Sequence, residues 1–142
     1  MTYEEYLSIL DNLAVNSSQI EKDKLFNSNL NPELRVMIEP KIVELIKQKY
    51  INVVTRISKL IGEMFSDQYI LDQQLVNFKK EVLFIYELTK LKELSDDPRN
   101  DLQNMIEEET DKIYKVFINK ANEVDMSGAL GLTIKHSMIK WR

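Results

Sequence analysis

Residues 41–65 read KIVELIKQKYINVVTRISKLIGEMF, and in them Ile42, Ile46, Tyr50, Val53, Ile57, Leu60 and Met64 recur at steps of three and four. That spacing lays one apolar stripe along a helix and leaves Lys47, Lys49, Arg56 and Lys59 much of the opposite face. Val43, Val54, Ile61 and Phe65 widen the stripe to the breadth that packing in a bundle requires.

The same period continues on the C-terminal side. After Ser66-Asp67, which ends the first segment and caps the next, Leu71, Leu75, Phe78, Val82 and Ile85 keep helical spacing in a helix expected from about Asp67 to Leu94. Within it Val82-Leu83-Phe84-Ile85-Tyr86 is apolar on every side. Such a stretch is either central to the fold or covered by a partner chain. Asp96-Asp97-Pro98 then opens a third helix, with Asp97 as cap and Pro98 in the first helical position, running to about Asp125. Its stripe is Ile106, Thr110, Ile113, Phe117, Ala121 and Val124. Acids crowd its first half and Lys112, Lys115 and Lys120 its second, which suits the helix dipole.

On the N-terminal side the elements are shorter. Thr2 and Glu5 have capping-box spacing ahead of Tyr3, Tyr6, Leu7, Leu10 and Leu13, and Ser18 with Glu21 repeats it ahead of a helix through Phe26. Asn31-Pro32-Glu33 is a further start signal. Pro40 then lacks the donor a helix needs and crowds the preceding turn, so residues 32–39 are expected to form a separate short helix. Past Ser127-Gly128, residues 129–142 hold no acid and are expected to form a short helix with a basic tail.

The expected fold is therefore all-α, a single helical domain over 1–142. Three long antiparallel helices (41–125) form a bundle with short N-terminal helices across it. The length of 142 residues suits one domain with a real core, and 44% hydrophobic with 30% charged residues is a globular composition. Three glycines and three prolines are too few for the tight turns of an all-β fold.

Composition also narrows the chemistry. With no cysteine, disulfides, thiolate catalysis and sulfur-ligated zinc are excluded. The one histidine, His136, has Thr133 three residues before it, so the paired Glu-x-x-His of a di-iron bundle is missing. Glu107, Glu108 and Glu109 point about 100° apart on a helix and do not converge on a cation. No Gly-rich phosphate loop is present, and His136 lacks a sequence-evident nucleophile and orienting carboxylate. No enzyme, cofactor or metal is expected. No run of about 18 apolar residues occurs and the start of the chain is acidic, so a cytoplasmic protein without a membrane span is expected. Richness in Ile, Lys and Asn suggests a low-GC bacterium or its phage.

Charge is uneven. Residues 96–125 carry nine acids against four bases, whereas residues 40–65 carry five bases against two acids. Lys135, Lys140 and Arg142 make the tail purely basic. The simplest expectation is internal complementarity between these regions. The aromatic set Tyr50, Phe65, Phe78, Phe84, Tyr86, Tyr114 and Phe117 is read as core before it is read as a ligand pocket.

Three functions fit these exclusions. The first is an interaction protein of inhibitor, immunity or adaptor type, binding another protein or a second copy of itself through a helical face. Its candidate contact residues are Phe84, Tyr86, Lys135, His136, Lys140, Trp141 and Arg142. The second is a nucleic-acid-binding regulator using the basic tail and the 41–65 face, for which three tail charges are few. The third is a helical small-molecule sensor. For the tail itself the plainer expectation is that Ile139 and Trp141 fold back on the bundle.

Overall fold

The computed structural model describes residues 1–64, 68–124 and 128–141, with the backbone alone at 61–64 and 68. Six helices are formed: α1 (Tyr3–Asn12), α2 (Gln19–Phe26), α3 (Pro32–Met64), α4 (Gln68–Leu88), α5 (Asp96–Val124) and α6 (Ala129–Ser137). The all-α architecture read from the sequence is the one observed, with no strand among the described residues. The expected boundary at Ser66-Asp67, the helix end at Asp125, and Phe65, Ser127 and Arg142 lie outside the described residues.

Local signals start most helices where expected. The Thr2 hydroxyl accepts from the Glu5 N–H at 3.1 Å while Glu5 Oε2 accepts from the Thr2 N–H at 3.4 Å, completing the box on α1. Ser18 caps α2 by accepting from the Glu21 N–H at 3.2 Å. Asn31 Oδ1 accepts from the Glu33 N–H at 3.0 Å, and Pro32 takes the first position of α3.

Three boundaries differ from expectation. The separate 32–39 helix is not formed, because α3 continues through Pro40. Ile38 and Ile42 are both fully buried and pin the chain on either side of it, while Pro40 itself is exposed. The carbonyl left without its helical donor belongs to Val36, which is 75% exposed, so water can serve it. Pro40→Ala should therefore stabilise the fold by about 1 kcal/mol, the regained helical bond and lower strain outweighing a more flexible unfolded chain. A urea titration measures this, and a loss of stability would show that Pro40 is unstrained.

α4 ends at Leu88 rather than Leu94. The β-branched Thr89 turns its hydroxyl onto the Tyr86 carbonyl at 2.6 Å, and residues 89–91 continue with three-residue backbone bonds that tighten the chain into a turn. Finally, α5 starts one residue before the expected cap. Ser95 is the capping position, its carbonyl accepting from the Arg99 N–H at 3.1 Å, so Pro98 stands third in the helix. The missing Pro98 N–H is still one of the first-turn donors that have no helical partner.

The register follows from side-chain pairs. α4 runs antiparallel to α5, since Phe78 meets Tyr114 and Phe117 while Tyr86 meets Glu107. Arg56 pairs with Glu81 between α3 and α4. α3 and α5 run the same way, with Glu39 on Ser95 at one end and Tyr50 on Thr110 further along. Sequential long helices are thus antiparallel. α1 lies on α3, and α6 packs on α5 and α4. One continuous core draws on all six helices.

The buried stripe of α3 runs Ile38, Ile42, Ile46, Tyr50, Val53, Ile57, and that of α4 runs Leu71, Leu75, Phe78, Val82, Ile85. On α5 the stripe is rotated from the expected one. Tyr114 is fully buried where Ile113 was expected, and Val124 is exposed. Tyr114 wins the inner place because its ring joins Phe78 and Phe117, with centroids 5.7 and 6.4 Å away.

Tyr50 and Thr110 form a buried hydroxyl pair at 2.7 Å. Burial pushes the Tyr50 phenol up to about 12, helped by Glu109 and Asp111 and opposed by the Thr110 bond. Burial likewise pushes Tyr114 to about 12, with Asp111 adding and the Ser137 bond opposing. The folded chain therefore holds these protons more tightly than the unfolded chain does. Their contribution is complete below the ordinary phenol value and is lost as pH rises toward 12. Stability should fall across that window, and the slope should flatten in Tyr50→Phe and Tyr114→Phe, read by denaturant titration at a series of alkaline pH values. An unchanged slope in both variants would contradict this.

Candidate interaction surface on α4

The apolar stretch 82–86 is mostly inside the molecule. Val82, Ile85, Tyr86 and nearby Leu88 are buried, so a partner chain is not needed to cover them. Leu83 and Phe84 remain partly outside. Lys22 Nζ stands 5.6 Å from the Phe84 ring centroid and donates to the Val15 carbonyl at 3.0 Å, tying α2 to α4. Between these helices lies an open groove of about 530 Å3, with Val15, Phe26, Leu83, Phe84 and Leu88 as its apolar lining.

Tyr86 and Trp141 are brought together, but as a closed contact. Their ring centroids are 5.1 Å apart at 40°, and Trp141 Nε1 donates to Asp111 at 3.5 Å. Ile139 is buried. The tail therefore folds back onto the bundle, as the plainer expectation had it, after an α6 in which Leu130 and Ile134 face inward. Lys135, His136 and Lys140 stay exposed, and Arg142 lies outside the described residues. His136 lines a second groove of about 370 Å3 with Asp72, Leu75, Val76 and Thr133, between α4 and α6.

The two grooves flank one face of α4. On it Tyr69 (69% exposed), Val76 (50%) and Leu83 (36%) recur every seven residues, with Asp72, Gln73 and Lys80 exposed between them. Sequence reasoning missed this outer stripe because the inner one is denser and more apolar. The seven-residue interval was the signal that could have found it.

The basic face of α3 is partly committed. Lys49 Nζ donates to the carbonyls of Asp11 and Leu13, each at 2.9 Å, closing the end of α1, and burial lowers its pKa. Arg56 pairs with Glu81 at 3.2 Å. Lys47 and Lys59 are exposed. Among the described residues no ion pair links the tail or α3 to the acids of α5. The contact between tail and α5 runs instead through Trp141 and Asp111.

A wider groove of about 650 Å3 opens between α3 and α5, with Val36, Pro40, Val43 and Met105 in its lining and Glu39, Glu44 and Asp101 against Lys47. Among the described residues no cluster of His, Asp and Glu could hold a metal, and no buried side-chain N or O lacks a partner. No described helix is long and apolar enough to cross a membrane. No family model, curated protein or solved structure matches the chain.

Proposed function

We propose that this chain is a non-enzymatic interaction protein of the cytoplasm, of inhibitor, immunity or adaptor type, and that it engages its partner through the outer face of α4 and the grooves beside it. The observation that carries the reading is the apolar stripe Tyr69–Val76–Leu83, exposed at seven-residue spacing along one face of α4 and set beside two grooves, while among the described residues every buried side-chain N and O has a partner. Large side chains spaced along one helix and set between two grooves are what a helical docking face requires. Nucleic-acid binding is less favoured, because Lys49 and Arg56, half of the basic set on α3, are engaged within the molecule.

Affinity capture from the native cell tests the reading, using the parent chain beside Leu83→Asp, Val76→Asp and a control, Val116→Asp on α5. The bound species, whether another protein or an untagged copy, should be lost with the two α4 variants and kept with the control. Equal capture by all four would eliminate this face.

A further inference from the structure

The geometry points to a second copy of this chain as the occupant of the α4 face, with the two α4 helices packed antiparallel about a two-fold axis at Val76. This inference rests on the interaction reading above and names its partner. An isologous interface sets residues equidistant from the axis against each other. With Val76 on the axis, Tyr69 faces Leu83 of the second copy, Asp72 faces Lys80 and Gln73 faces Lys79, and each pair occurs twice. The pattern is self-complementary: large on large, acid on base, neutral polar on base.

Neither Asp72 nor Lys80 has an ion-pair partner among the described residues, so both charges are available.

α4 is 21 residues long, or about 31 Å. A strip of that length and two helices wide covers roughly 600 Å2 per copy, the lower end of stable interfaces. Dimerisation is thus expected at micromolar rather than nanomolar protein.

The absence of cysteine makes the axis directly readable. Under mild oxidation the full chain carrying Val76→Cys should form a disulfide-linked dimer quickly, whereas Val116→Cys on α5 should not. Asp72→Lys and Lys80→Asp should each weaken dimerisation by light scattering about tenfold, and the double exchange should restore it. Dimer formation by the parent chain, selective Val76→Cys linkage and rescue by the double exchange support the proposal. A chain monomeric at every concentration, linkage no faster at Val76→Cys than at Val116→Cys, or failure of rescue would overturn it. If self-association fails while Val76→Asp still loses a different captured protein, the α4 face stands and only its occupant is wrong. If neither is observed, both readings fall.

Discussion

Arg99→Ala is expected to destabilise the fold by about 3 kcal/mol, lowering the melting midpoint by about 10 °C for a chain of this size. The guanidinium closes the turn between α4 and α5 from inside. Its Nε donates to the Thr89 carbonyl at 2.8 Å, and Nη2 donates to the carbonyls of Leu91 at 3.0 Å and Leu94 at 2.7 Å. Nη1 adds an ion pair to Asp96 at 3.2 Å. These carbonyls point inward because the turn is folded over buried Leu91 and Leu94. Without Arg99 they lose charged donors that water replaces only in part, since three-quarters of the side chain is covered. Arg99→Lys should recover less than half, because one ammonium cannot span three acceptors held in different directions. Thermal unfolding followed by circular dichroism measures both. A shift below about 3 °C in Arg99→Ala, the effect of some 1 kcal/mol, would show that the turn is held by its leucines alone.

Glu93→Ala should cost a similar amount, about 3 kcal/mol, by a different route. Glu93 is 3% exposed, and its carboxylate receives Tyr6 Oη at 2.9 Å and Ser28 Oγ at 3.0 Å. It therefore ties α1, the loop after α2 and the α4–α5 turn into one buried polar clamp. Ser28 can turn its hydroxyl wholly to the Leu25 carbonyl, which lies 2.8 Å away. Tyr6 is fully buried and has no other acceptor among the described residues, so its hydroxyl is stranded. Burial and Glu93 already raise the Tyr6 pKa, so ionisation offers no relief. Tyr6→Phe with Glu93→Ala should then cost much less than the sum of the two single changes, and a double-mutant cycle by urea titration measures the coupling. Strict additivity would mean that the clamp stores no pairwise energy.

Local chemistry in the sequence located the helices well. Thr2 with Glu5 and Asn31 with Pro32 act within three or four residues, and their geometry needs no tertiary information. The inner stripes of α3 and α4 were legible for the same reason, being strictly periodic. Where the reading failed, a distant residue decided. Pro40 is tolerated because Ile38 and Ile42 are both held in the core. α4 stops at Leu88 because Arg99, eleven residues on, takes up the carbonyls of the turn. Ser95 displaces Asp97 at the start of α5, with Glu39 receiving both its N–H at 2.9 Å and its hydroxyl at 2.6 Å from another helix. Tyr114 outranks Ile113 because of the Phe78 ring on another helix.

The candidate surface was legible only in part. Phe84 and His136 do border the grooves beside α4, whereas Tyr86 and Trp141 cover one another. The only sequence signal at Val76 is its seven-residue interval to Tyr69 and to Leu83. Its weight comes from standing midway between Tyr69 and Leu83 on a face that no other described helix covers, and that is known only once the inner stripe has been seated.

Sedimentation equilibrium of the parent chain beside Val76→Asp, from micromolar to near-millimolar protein, tests the α4 face most directly. The parent should rise to twice its monomer mass while the variant stays monomeric with unchanged helicity and melting midpoint. Identical masses for the two at every concentration would contradict a docking of α4 against its own copy.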